Sequence, residues 1–240
     1  EFLSGLVGSE MCIRDRLSLA LDPPDLSKLY QSALILEECG GLTRPSTKSE
    51  PFSGEITFLG QVMGILPLDV RLTRLVMFGY VFNCFTECIV MAACLALPSF
   101  LEVPYNNKQD RMRSYVMRMR KAAGTFSDPI MMLHMYNAWY DAHSRGSAAS
   151  RLFCKDNFIE FSRIQDVASL VQEINSGINQ LNIPKETIEE RRIAYDDATY
   201  IVKLKLALAA ANYPNYFVKN KESVHAVSYT HPTLPTLYSL

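Results

Sequence analysis

The sequence predicts a mostly α fold, in which a partial winged-helix module (residues 17–66) precedes a helical bundle (residues 67–216). Three observations carry that expectation. Apolar residues recur at helical spacing along most of the chain, most cleanly between Phe161 and Leu181. Proline and glycine punctuate these stretches at intervals of helix length. Only one short segment, Gly54 to Gly60, reads as a strand.

Composition agrees with a packed core. The chain has 240 residues, 48% apolar and 20% charged, which is long enough to bury one large or two small cores. With 24 basic and 25 acidic side chains the net charge is −1, too small for a disordered chain. Near-neutrality also means that any nucleic-acid binding must rest on a local patch.

The two ends read as foreign. Back-translating Met11-Cys12-Ile13-Arg14-Asp15 as ATG TGT ATA AGA GAC gives a reverse complement that encodes Val227-Ser228-Tyr229-Thr230-His231. One oligonucleotide read in opposite directions accounts for both, and the flanks resemble translated sequencing-library adapter. Residues 1–16 and 227–240 are therefore expected to be adapter-derived and are kept out of the fold reasoning. Leu17 to Ala226 is then expected to be a piece of a longer protein, with 217–226 opening a further domain.

Asp25, after Asp22-Pro23-Pro24, is placed to cap a helix carrying Leu26, Leu29, Ala33 and Leu36, which Gly40-Gly41 stops. Arg44 to Ser53 reads as an exposed loop, and the Gly54–Gly60 strand runs into a helix ending before Pro67. That order of helix, loop, strand and helix suits the later part of a winged helix. Leu68 to Leu97 is helical, with a break near Gly79 and Asn83. Val76 to Leu97 has bilayer length, but Asn83, Thr86 and Glu87 interrupt it, so two packed core helices are expected and no membrane span. Asn106 to Gly124 reads as a basic connection. Asp128-Pro129 starts a helix bearing Leu133, Tyr136, Trp139 and Tyr140, and Ser147 to Ser150 reads as a loop. A last helix, Asp196 to Asn212, is apolar on nearly every side from Leu206 to Ala211 and expected to be buried by several neighbours.

Catalytic chemistry is not in evidence. The sequence has no phosphate-cradling G-x-x-x-x-G-K-[ST] loop, no G-x-S-x-G and no H-E-x-x-H. Glu189-Glu190 and Asp196-Asp197 are adjacent pairs that splay on a helix, and His134 reads as structural. Cys84 and Cys88 stand four apart, which could offer two thiolates to a metal, but no second pair completes a tetrahedral site. They read as buried free thiols, and five irregularly spaced cysteines after trimming suit a reducing compartment.

One segment stands out electrostatically. Lys108, Arg111, Arg113, Arg118, Arg120 and Lys121, against Asp110, concentrate a charge of +5 in fourteen residues. Such a patch can hold a phosphate backbone. Arg111, Arg113, Arg118 and Arg120 are the first candidates for nucleic-acid contact; Arg71 and Arg74, expected on one exposed face, are the second.

The D-P-P-D run with its helix, the G-E-I-T-F-L-G-Q-V-M-G-I-L-P-L-D run from Gly54 to Asp69 and the Cys84–Leu97 helix together resemble the C-terminal region of DEAH-box RNA helicases. Leu206 to Phe217, L-A-L-A-A-A-N-Y-P-N-Y-F, resembles the spindle-E-like, Tudor-domain-containing branch. The resemblance covers essentially all of Leu17 to Ala226. It implies a degenerate winged helix followed by a ratchet-like helical bundle beside two motor domains. It further implies a parent enzyme using ATP and magnesium, working on RNA in piRNA-mediated transposon silencing in cytoplasmic germline granules (nuage). The motor motifs fall outside this chain, so the resemblance supplies no catalytic residue, and none is expected to bind cofactor here. The expected role is to support the motor and guide single-stranded RNA. The competing expectation is a non-catalytic helical scaffold for protein partners.

Overall fold

The computed structural model describes Asp25 and residues 28–43, 54–105, 107–181, 198–213, 218–219 and 229–230. Nine helices are found among them. In chain order they are α1 (Leu29–Glu38), α2 (Phe58–Ile65), α3 (Val70–Val81), α4 (Phe85–Ala96), α5 (Lys108–Ala122), α6 (Asp128–Ser144), α7 (Ser147–Asp156), α8 (Phe161–Gln180) and α9 (Ala198–Asn212). The only strand pairing among the described residues is a two-residue antiparallel contact of Val218–Lys219 with Tyr229–Thr230. The fold is mostly α, as expected.

The core is built around α4. Its Phe85, Cys88, Ile89, Met91, Ala92 and Cys94 are buried on nearly every side, as its almost uninterrupted apolar sequence requires. Helices α3, α6, α8 and α9 all pack against it. The expected break before α4 falls at Asn83, whose φ of 56° turns the chain back and lays α3 beside α4. Helix α8 contributes Ile164, Val167, Ile174 and Ile178 from the anticipated stripe, all fully buried. Val62 and Leu66, from and just after α2, join the same core, so the expected first module and the bundle share apolar contacts.

At the amino-terminal side, Thr57 joins several elements. Its hydroxyl donates to the Gly40 carbonyl (2.7 Å) and accepts from the Gly60 amide (3.0 Å), capping α2. The expected strand is reduced to one isolated bridge, Leu42 with Ile56. Helix α1 begins later than expected: its N-cap is Lys28, whose amide donates to the Asp25 carbonyl at 3.0 Å. Arg44 to Ser53, Glu189-Glu190, Asp196-Asp197 and both expected adapter ends, apart from Tyr229–Thr230, lie outside the described residues.

Four expectations need correction. Asn106 to Gly124 is not a connection, because Lys108–Ala122 forms α5. Ser147 to Ser150 is the first turn of α7, where small polar residues follow Gly146 (φ 119°). Helix α9 is not enclosed: Leu204, Ala207 and Ala211 face the core, where α3 and α4 pack on it, while Leu206 and Val202 stay exposed. Arg74 is not on an exposed face with Arg71. It is 7% exposed, and its guanidinium donates to the carbonyls of Ala210 (3.1 Å) and Tyr213 (3.0 Å) at the end of α9.

The cysteines are core residues. Cys84, Cys88, Cys94 and Cys154 are buried thiols, with the Cys84 and Cys88 sulfurs 3.7 Å apart. Burial pushes the Cys94 thiol up to about 12. It pushes Cys154 up to about 11, against a weaker opposite pull from Trp139. Tyr136 beside them is also raised, first by burial and then by the neighbouring Cys94 and Tyr140.

Candidate nucleic-acid interface

Helix α5 carries the basic segment, and its sequence explains why it is helical. Lys, Arg, Met and Gln are good helix formers, and no Gly or Pro interrupts them. Asn107 caps the start: its side-chain oxygen accepts from the Gln109 amide and its Nδ2 donates to Asp110, both at 2.9 Å. Asp110 in the first turn and Arg120 and Lys121 in the last complement the helix dipole. Ala123 (φ 48°) and Gly124 (φ 73°) then leave the helix through left-handed conformations.

Few polar contacts fasten this helix to the body. Ser114 is its one fully turned-in residue, and its hydroxyl donates to the Glu102 carbonyl at 3.3 Å. The Arg118 Nη2 donates to that same carbonyl at 2.8 Å. At the far end the Lys121 carbonyl lies 2.8 Å from His134 Nδ1 of α6. A carbonyl only accepts, so Nδ1 carries the proton. His134 is thus structural, as expected.

The helix separates its cations into two rows. At about 100° per residue, Arg111 and Arg118 fall together, and Arg113 and Arg120 fall together on the other side. Arg111 donates to the Tyr105 carbonyl at 2.9 Å and Arg113 meets Asp110 at 3.4 Å, a pair three-quarters exposed on the arginine. Such a pair holds its charge weakly and leaves it open to a ligand. Arg120 is exposed, as is Arg71 on α3, far along the sequence. Arg74 is spent on α9, and its guanidinium also lies 5.7 Å from the centre of the Phe78 ring.

Between the two rows lies a crest whose helical spacing sequence reasoning misses, although the sequence shows methionines and a tyrosine among the cations. Met112, Tyr115, Val116 and Met119 are 61, 60, 48 and 46% exposed, forming an apolar crest at i, i+3, i+4 and i+7. Its spacing becomes legible once Lys108–Ala122 is taken as helix. Among the described residues no cluster of three His, Cys, Asp or Glu side chains could hold a metal ion. No helix there is long and apolar enough to cross a membrane.

No family model matches the chain. It is 33% identical over 217 residues, 85% of its length, to the human ATP-dependent RNA helicase TDRD9. It is 32% identical over 213 residues to the rat TDRD9. It is also 32% identical over 222 residues, 89% of its length, to a probable ATP-dependent RNA helicase spindle-E of Aedes aegypti. Its homologues are ATP-dependent RNA helicases. The chain spans 15% of the length of the TDRD9 relatives and 16% of the spindle-E relative. A match to TDRD9 and spindle-E over this stretch is consistent with a helicase C-terminal region. The α4-centred bundle and its basic helix are therefore features of a helicase homologue, without a phosphate-cradling loop of their own.

Proposed function

We propose that this chain is a non-motor region of an ATP-dependent RNA helicase, which braces the motor lobes and guides single-stranded RNA. The observation that supports the reading most is homology to helicases over 85% of the chain. ATP and magnesium would be used by the parent protein, through motor motifs of the kind that this sequence does not carry. The boundaries that fit this role are 17–66 as a partial winged helix, 67–216 as a ratchet-like bundle and 217–226 as the start of a further domain. Residues 1–16 and 227–240 are read as adapter. The branch resemblance extends the proposal to piRNA-mediated silencing in cytoplasmic germline granules, with piRNA-pathway proteins and the motor domains of the same chain as partners.

A closing motor needs a stiff body to push against, and helices packed around α4 supply one. RNA would be held through phosphates without sequence readout, by Arg113 and Arg120 first. Arg111 and Arg118, each with one donor already tied, would add their remaining donors, and Arg71 would be an outlying contact. Oligouridine binding by the 240-residue chain, titrated with salt, tests this. Reversing Arg113 and Arg120 to Glu should flatten the log–log salt slope by about 0.7 for each phosphate no longer neutralised. An unchanged slope rejects α5 as the RNA contact. For the parent enzyme, an upstream Gly-Lys-Thr loop followed by Asp-Glu-x-His is expected in the full transcript. A second reading, a scaffold for protein partners, is favoured by the apolar crest of α5.

A further inference from the structure

Neither core packing nor phosphate binding explains the crest of α5. A helix docked on a body by one face ordinarily turns charged residues to water on the other. Here the opposite face carries Met112, Tyr115, Val116 and Met119, with the four arginines to either side and Lys108 at the crest's amino-terminal end. The four side chains span an arc of about 100°, with Arg111 and Arg118 along one border and Arg113 and Arg120 along the other.

We propose that α5 is a docking helix for an acidic, amphipathic helical segment of a partner protein. The partner's apolar residues would cover Met112, Tyr115, Val116 and Met119, and its carboxylates would lie over the two arginine rows. Anchors at i, i+3, i+4 and i+7 match the pattern by which one helix is laid against another. Two methionines give the crest an adaptable surface. The charge identifies the occupant: Lys108 to Lys121 carries +5, so an acidic segment is steered to it and a basic one is repelled. A second copy of this chain would set these cations against themselves. RNA needs the arginines but not the crest, since only Tyr115 of the four offers an aromatic face on which a base could stack. This inference goes beyond the RNA reading and does not depend on it. Both ligands are polyanionic and share the arginine rows, so they exclude one another on α5.

The test uses the 240-residue chain and two labelled synthetic helical peptides with the same Leu face, one flanked by Glu and the other by Lys. The Glu peptide should bind, and the Lys peptide should bind at least about tenfold more weakly. Met112→Ser with Met119→Ser should weaken the Glu peptide about tenfold, a loss typical of truncated anchors, while leaving the salt slope for oligouridine unchanged. Val116→Thr, nearly isosteric, should weaken the peptide in the same sense and guards against a folding artefact, which circular dichroism also monitors. Arg113→Glu with Arg120→Glu should weaken both ligands. Equal binding of the two peptides, or binding of neither, overturns the proposal. So does crest-dependent self-association, or crest-dependent binding to phosphatidylserine vesicles without peptide binding. Loss of oligouridine rather than peptide from the Met112 and Met119 variants overturns it too. Absence of any oligouridine binding would instead reject the RNA reading and leave the docking result standing.

Discussion

Arg74 shows how a single side chain decides whether a helix stays attached. A helix runs out of amides for its last carbonyls, and Arg74 reaches from α3 to donate to Ala210 in the last turn of α9 and to Tyr213 just beyond it. Its positive charge also faces the negative end of the helix dipole. Arg74→Met should therefore cost about 1.5–3 kcal/mol, the range for hydrogen bonds to a charged group, read from urea unfolding. Exchange protection in α9 should fall first. Arg74→Lys, with one ammonium for two carbonyls, should recover only part of it. Cys94 makes a prediction of opposite character, through pH. Burial holds its thiol up to about 12, so the fold keeps a proton that the unfolded chain gives up at lower pH. This contribution is whole below the unfolded thiol's pKa and is lost as pH rises toward about 12. Cys154, held up to about 11, acts in the same sense. The urea midpoint should thus fall between pH 8 and pH 10.5, and fall less steeply in Cys94→Ala.

At the scale of the element, α5 leans on its cap, because a few polar contacts together with Met117 and Ala122 hold it to the body. Asn107→Ala removes the bond to the Gln109 amide and the link to Asp110 together. The expected cost is about 1 kcal/mol, local to α5, so hydrogen exchange there should quicken while α4 and α8 are unaffected. The same weak anchoring explains why this helix is hard to read in sequence. Helices α4 and α8 are written as apolar stripes, which burial makes visible in sequence. In α5 only Ser114 turns fully inward, and Met112, Tyr115, Val116 and Met119 face water, so periodicity points away from the body and charge dominates the impression. The six arginine candidates divide accordingly. Four share α5 as one segment, in two rows that only a helix creates, and Arg71 remains exposed. Arg74 escapes sequence reasoning because its partners at Ala210 and Tyr213 lie more than 130 positions away, a contact no local pattern encodes. Helix α7 escapes it for a simpler reason: Ser147-Ala148-Ala149-Ser150 has turn-like composition, and it is α6 that holds it helical.

For the whole molecule, the closeness of α3 and α4 sets the position of everything else, since α6, α8 and α9 all pack on α4. Gly79 permits that closeness. A Cβ placed there would lie 2.4 Å from Cys88 Cβ, 2.7 Å from its sulfur and 3.1 Å from the Cys84 carbonyl. No rotamer of Cys88 moves its own Cβ, so Gly79→Ala must push the two helices apart. Alanine is worth about 1 kcal/mol more than glycine inside a helix, but overpacking costs about 1–3 kcal/mol, and here the displaced element is the one that organises the core. We expect a net loss of stability, with the damage spread over α6, α8 and α9. Gly64 near the end of α2 is the matching control, because nothing lies within 4 Å of its added Cβ. Gly64→Ala should stabilise the protein by about 0.5–1 kcal/mol. Paired urea melts decide the matter: Gly79→Ala below wild type and Gly64→Ala above it is the expected order. If Gly79→Ala matches Gly64→Ala, the two helices are free to separate, and the stiff body required by the proposed bracing role is not provided by this packing.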